Sequence, residues 1–175
     1  MISGHYQGRI LSLISKIISP KKILEIGTYT GYSAICLCEG MDKDGILHTI
    51  DNNKELVKIQ NKYFKKANLT NKIVQHSGDA KNIIPSIDEE FDIVFIDADK
   101  ESYPEYYDLI IKKVRSGGII IADNILWSGK ILEKVEKDDQ ATKSIIEFNN
   151  KIIEDDRVKN IILPIRDGLN IIRKN

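Results

Sequence analysis

Apolar positions along the chain follow two rhythms that alternate. Ile10, Leu11, Leu13, Ile14, Ile17 and Ile18 recur at helical spacing and predict a first helix with that apolar face, stopped by Pro20. KILEIG then reads as a strand, Tyr32 to Glu39 as a helix and ILHTID as a second strand. Lys54 to Ala67 is predicted as a helix, with Leu56, Ile59, Tyr63 and Phe64 on one face. KIVQHS, FDIVFID and GGIIIAD supply three further strands, the last two separated by a helix over Tyr103 to Val114. Thr142 to Glu154 is a long helix whose apolar positions are supplied by Ile145, Ile146, Phe148, Ile152 and Ile153. Near-continuous apolar strands alternating with helices predict an α/β fold, a mostly parallel sheet with helices on both faces. The ending departs from this pattern. VKNIILPI and LNIIRK flank Arg166-Asp167-Gly168, a hairpin signal, so the last of seven strands is expected to run antiparallel to its neighbour.

Ligands of open α/β sheets bind beyond the C-terminal ends of the strands. Those ends carry Glu25-Ile26-Gly27, Asp51, Gly78-Asp79, Asp97 and Asp123-Asn124. Any one of these acids is ordinarily a helix cap or a solvated loop charge; five on one sheet edge ask for a ligand. The first turn, GTYTGYS (27–33), has glycines that permit tight turning, and Thr30 or Ser33 to cap the helix that follows. It is not the G-x-G-x-x-G turn of nicotinamide and flavin proteins, because Tyr29 holds the middle glycine position. With Asp51 placed to accept hydrogen bonds from a ribose diol, the turn suggests an adenosine-containing ligand. The segment FDIVFIDADK runs from buried strand straight into Asp97, Asp99 and Lys100. If its strand neighbours GGIIIAD, then Asp97, Asp123 and Asn124 meet at one rim. Two carboxylates and an amide oxygen are hard donors suited to Mg²⁺, Mn²⁺ or Ca²⁺.

Composition changes this picture little. The 175 residues are 42% hydrophobic and 30% charged, ordinary for one globular domain. Lys+Arg and Asp+Glu each number 26, so no global field draws the chain to nucleic acid or membrane. No apolar run approaches the ~20 residues that span a bilayer. The N-terminal stretch, interrupted by Arg9 and Lys16, lacks a signal-peptide pattern, and a cytoplasmic location is expected. Cys36 and Cys38 point in different directions on a helix and read as small core residues in a reducing compartment. His5, His48 and His76 lack metal-ligand spacing and read as surface or loop residues. No Gly-Lys-Ser/Thr phosphate loop occurs, which disfavours phosphoryl transfer from ATP.

Six segments, LEIGTYTGYSA (24–34), HTIDNN (48–53), SGDA (77–80), FDIVFIDADKESY (91–103), GGIIIADNILWSG (117–129) and RDGL (166–169), resemble the cation-dependent class I O-methyltransferases. That family contains the catechol and caffeoyl-CoA O-methyltransferases and bacterial relatives. The resemblance runs in order over essentially the whole chain; DADK and ADNxLWxG are its specific parts. It implies a Rossmann-like class I methyltransferase sheet and S-adenosylmethionine as cofactor. Glu25, Gly27 and Ser33 would contact the methionine portion, Asp51 the ribose and Asp79 the adenine end, with Tyr29 and Asp97 completing the cofactor-binding set. Asp97, Asp123 and Asn124 would hold a divalent cation, magnesium with manganese or calcium as alternatives. Lys100 stands where the family places its general base, beside Asp97 in the catalytic pair, and Trp127 and Tyr103 fall near the acceptor pocket.

The expected reaction is therefore methyl transfer to a hydroxyl of a catechol-like phenol or a similar small hydroxylated aromatic acceptor. Alternatives are a 5-hydroxyuridine in tRNA, since Lys62 to Lys72 is lysine-rich, or an S-adenosylmethionine-binding module without catalysis. Relatives are often dimers, so a homodimer is expected. They also carry N-terminal helices ahead of the segment resembling MISGHYQGR, and the expectation is one domain over residues 1–175 without those lid helices.

Overall fold

The computed structural model describes residues 3–175. Seven strands, β1 (Lys22–Ile26), β2 (Ile46–Asp51), β3 (Ile73–Ser77), β4 (Phe91–Ile96), β5 (Val114–Asp123), β6 (Val158–Leu163) and β7 (Leu169–Lys174), form one sheet in the order β3-β2-β1-β4-β5-β7-β6. The first five pair in parallel, and β7 is antiparallel to both β5 and β6. The expected mixed sheet and terminal hairpin are thus present. Chain direction across the sheet reverses between β1 and β4, the switch point at which such sheets open a ligand crevice.

The strands read as continuous apolar runs because both faces are covered. Ile23, Leu47, Ile93, Phe95 and Ile121 pack on one side under α1 (Gly4–Ile18), α2 (Tyr32–Cys38) and α3 (Val57–Lys66). Leu24, Ile50, Val94, Ile96 and Ile120 pack on the other under α4 (Ala80–Ile83), α5 (Tyr103–Ile110) and α6 (Gln140–Glu154). The side chain of Asp139 caps α6, accepting from the Thr142 N–H at 2.9 Å. β5 begins earlier than its GGIIIAD core, at Val114, and absorbs a register shift opposite Phe91/Ile93, so α5 ends at Ile110 rather than Val114.

Three expectations need correction. α1 buries only part of the apolar stripe: Leu11 is fully buried and Ile10, Ile14 and Ile18 pack against the core, but Leu13 and Ile17 are 58% and 75% exposed, while Gln7, Gly8, Ser12 and Ser15 also face inward. Close approach to α2 selects small residues there, since a Cβ on Gly8 would sit 2.7 Å from the Tyr32 ring and 2.9 Å from the Cys36 sulfur. Ser15 Oγ donates to the Leu37 carbonyl at 2.5 Å across the same contact. On α3 the buried positions are Gln60 and Phe64, with Ile59 and Tyr63 turned outward. His48 and His76 are not loop residues; they lie on neighbouring strands, half-buried, with Nδ1 of one 3.0 Å from Nε2 of the other. Burial, together with His76 in the case of His48, holds both imidazoles below their ordinary pKa. Both cysteines are buried and free, as expected. Among the described residues no helix is long and apolar enough to cross a membrane.

Candidate active site

The cleft lies above the C-terminal ends of β1, β2 and β4, at the switch point. It has a volume of about 800 Å³ and is lined by Gly27, Tyr29, Asp51, Asp79, Asp97 and Lys100 among others. Its far wall is the segment after β5, with Asn124, Trp127 and Ser128, together with Asp167 of the terminal hairpin. A shallower groove of about 870 Å³ runs between α5 and α6. Two of its charges are already neutralised, Lys151 by Asp108 and Arg157 by Asp155, and it is not at the switch point. The cleft at the switch point is therefore the candidate site.

The glycine turn is built against β4. Gly27 has φ +100°, and a Cβ there would lie 2.1 Å from the Asp97 carbonyl oxygen, so this position requires glycine. Asp51 Oδ2 accepts from the Tyr29 N–H at 2.7 Å and Oδ1 accepts from the Asn53 N–H at 2.8 Å. The carboxylate therefore orders the turn and still keeps a lone pair on each oxygen for a diol. Gln60 on α3 donates to the Tyr29 carbonyl at 2.7 Å and is itself held by Gln75 at 2.6 Å. Asp79 reaches the cleft as the cap of α4, accepting from the Lys81 N–H.

Glu25 and Ser33 lie behind this wall rather than in the cleft, both buried. Glu25 Oε2 accepts from the Thr49 hydroxyl at 2.5 Å, and Thr49 is 2.5 Å from the Thr28 hydroxyl of the turn. Burial pushes the Glu25 carboxyl up to about 8, against the opposing effect of the Ser33 and Thr49 hydroxyls. The native state therefore holds this proton between pH 4.5 and about 8, where the unfolded chain releases it. Stability falls as pH rises through that window and levels off above it. Glu25→Gln removes the titrating proton. The expected result is a flatter fall in chemical-denaturation stability between pH 5 and 8 than in the wild type; an identical slope would place the proton elsewhere.

The second half of the site is the rim formed by β4 and β5. Ile96 pairs with Ala122, which sets Asp97 and Asp123 side by side on strands ~4.8 Å apart. Asp123 is only 2% exposed. Burial and then the charge of Asp97 push its carboxyl upward from the usual carboxylate range. Its Oδ1 accepts from the Asn124 N–H at 2.8 Å, and its Oδ2 from Gln7 Nε2 at 2.7 Å. Asn124 enters the cleft wall with φ +62°, a conformation asparagine tolerates better than most residues. Among the described residues no three His, Cys, Asp or Glu side chains converge as a metal cluster. The donor set is two carboxylates plus the Asn124 amide. That set fits a hard dication, whose charge would relieve the repulsion that raises Asp123.

Lys100 is buried beside this rim. Its Nζ lies 3.2 Å from Asp97 Oδ1 and 2.6 Å from the Tyr103 hydroxyl, which in turn donates to the Asp123 carbonyl at 2.9 Å. Tyr103 is fully buried, edge-on against Phe148, so it supports Lys100 from behind and does not line the cleft. Trp127 does line the cleft. Asp167 holds its loop, accepting from the Ser128 N–H at 2.6 Å, while the Leu126 N–H donates to the Asp167 carbonyl. Sequence reading missed Gln7 and Gln60. Each is a buried amide on the inward face of its helix, and nothing in the local sequence marks it, because its partner is distant in the chain.

Residues 1–175 match the family model described as O-methyltransferase. The chain is 33% identical to the probable caffeoyl-CoA O-methyltransferase 3 of Dictyostelium discoideum, covering 99% of this chain and 76% of that protein. It is 34% identical to caffeoyl-CoA O-methyltransferase 1 of Zea mays, over 99% of this chain and 72% of the relative. Among solved structures it resembles the O-methyltransferase from Bacillus cereus in complex with SAH, at 29% identity and TM-score 0.93, covering 98% of this chain and 82% of that one. The O-methyltransferase TomG from Streptomyces achromogenes, involved in tomaymycin synthesis and solved in complex with SAM, aligns at 28% identity and TM-score 0.91, over 98% and 81% of the two chains.

Proposed function

This chain belongs to the O-methyltransferase family, and from that premise we propose that it transfers the methyl group of S-adenosylmethionine to a hydroxyl of a catechol-like acceptor with help from a divalent cation. The observation that carries this reading is the shared rim. The cleft whose turn and Asp51 suit an adenosine ligand also carries Asp97, Asn124 and Lys100 at one edge, with Asp123 buried directly behind that edge beside Asp97 on the neighbouring strand. Relatives of known structure hold SAM or SAH, which supports the cofactor; the names of curated relatives support a phenolic acceptor.

Asp51 is assigned to the ribose hydroxyls through its two free lone pairs, Gly27 and Tyr29 to the backbone approach of the turn, and Asp79 to the adenine end. Glu25 and Ser33 act from behind, setting the turn. Asp97, Asp123 and the Asn124 amide would hold the cation. A bound dication supplies Lewis acidity, which favours the oxyanion of a phenol whose pKa is otherwise near ~10. Lys100 receives the acceptor proton. When neutral, Lys100 has two N–H groups to donate, to Asp97 and Tyr103, which leaves its lone pair free for the acceptor. Trp127 and the loop held by Asp167 bound the acceptor side and exclude water from an in-line transfer.

The test is methylation of a catechol and of a caffeoyl-type thioester with Mg²⁺ and with EDTA. Metal-stimulated transfer to either is expected, and absence of transfer to both with S-adenosylmethionine bound would contradict the acceptor class. A second reading, a hydroxylated tRNA base, is favoured by one feature. Lys54, Lys58, Lys62, Lys65 and Lys66 are all exposed on or next to α3, and among the described residues none has an ion-pair partner. Transfer to tRNA in preference to both phenols would establish it.

Asp51→Ala is expected to weaken S-adenosylhomocysteine binding by roughly 1.5–3 kcal/mol, the range for hydrogen bonds to a charged group. Calorimetric titration reads this directly. Unchanged affinity would place the ribose elsewhere.

A further inference from the structure

Gln7 lies on α1, at a sequence distance of 116 residues from Asp123, yet its amide is fully buried and donates to Asp123 Oδ2 at 2.7 Å. The orientation of that amide is fixed by chemistry. Arg166 carries only donors, and its Nη1 lies 3.3 Å from Gln7 Oε1, so the NH₂ end faces Asp123. Arg166 is itself tied to α1 through the Ser3 carbonyl and sits in the hairpin turn with φ +53°. The other oxygen of Asp123 is occupied by the Asn124 N–H. Each carboxylate oxygen thus carries one internal hydrogen bond, and the plane of the carboxylate is set from both sides.

We propose that Gln7 is a positioning residue for the cation site, its amide holding Asp123 in the orientation that presents the carboxylate to the rim, with Arg166 holding the amide. The inference rests on the dication reading above. Its specific content is that a neutral donor is required at this position. A glutamate here would turn toward Arg166, withdraw the donor and set a like charge against Asp123. Leucine would fill similar space and donate nothing. Outer partners that orient ligating carboxylates typically change metal affinity ~10–100-fold when removed.

The experiment is a Mn²⁺ titration of the full chain followed by electron paramagnetic resonance. It compares wild type, Gln7→Leu and Gln7→Glu, with melting and S-adenosylhomocysteine affinity measured in EDTA as controls. The expected result is ~10–100-fold weaker Mn²⁺ binding in both variants, with the metal-free cofactor affinity unchanged. Should one variant lose its fold in EDTA, the other carries the comparison, because one preserves volume and the other preserves reach. Mn²⁺ affinity equal to wild type in a folded variant overturns the role of Gln7 while leaving the cation site standing. A wild type that binds no Mn²⁺, or binds it equally after Asp97→Ala, removes the cation site itself and this inference with it.

Discussion

Asp123→Ala is expected to abolish metal-stimulated methyl transfer, lowering kcat/KM by about three orders of magnitude. Lewis-acid stabilisation of a developing oxyanion amounts to several kcal/mol, and ~4 kcal/mol corresponds to a factor of about 10³. The loss is expected to fall on catalysis more than on folding, because two effects of the substitution oppose each other. Removing the carboxylate leaves Gln7 Nε2 without an acceptor in a buried position, which costs about 1–3 kcal/mol. It also removes a charge that burial and Asp97 already disfavour. Initial rates with Mg²⁺ and with EDTA, beside calorimetric melting in EDTA, separate the two. Metal-stimulated turnover persisting in a folded variant would take Asp123 out of the site.

Gly27→Ala should have the largest structural effect of any single methyl added to the cleft. The left-handed backbone there costs an L-residue about 1–2 kcal/mol. Overpacking against the backbone of Asp97, 2.1 Å from the new Cβ, adds about 1–3 kcal/mol. For a chain of this size each kcal/mol lowers Tm by roughly 2–4 °C, so a fall of roughly 4–20 °C is expected. Function should suffer further, because the clash pushes the glycine turn away from the β4 end that carries Asp97. The variant is expected to lose measurable S-adenosylhomocysteine binding by calorimetry even below its melting temperature. Wild-type affinity with a lowered Tm would mean that the turn and the β4 end are not coupled as their contact implies.

The fold was legible where a strand is buried on both faces or a turn has a specific chemistry. KILEI, FDIVFI and GGIIIAD could only be central strands, and Arg166-Asp167-Gly168 could only turn the chain back. The first helix misled in part, at Leu13 and Ile17, for a physical reason. Hydrophobic periodicity finds the face rich in large side chains, whereas α1 approaches α2 so closely that Gly8, Ser12 and Ser15 make the contact. The acids at the strand ends were legible as a set. Their division into cleft-lining Asp51, Asp79 and Asp97 and wall-embedded Glu25 was not, because that depends on which way each side chain leaves its strand. The burial of Tyr103 was illegible similarly: the resemblance set it near the acceptor pocket, and helix geometry carries its ring inward to Phe148. Gln7 and Gln60 were illegible because their partners are distant in sequence, Asp123 in one case and the Tyr29 carbonyl in the other. A buried amide has no meaning until its partner is known.

The most direct test of the account is anomalous scattering from crystals grown with S-adenosylhomocysteine and soaked in Mn²⁺. One peak is expected within about 2.6 Å of oxygens from Asp97, Asp123 and the Asn124 amide, on the rim beside the ligand's sulfur. No peak there, with these side chains directed at solvent and the ligand bound, would contradict it.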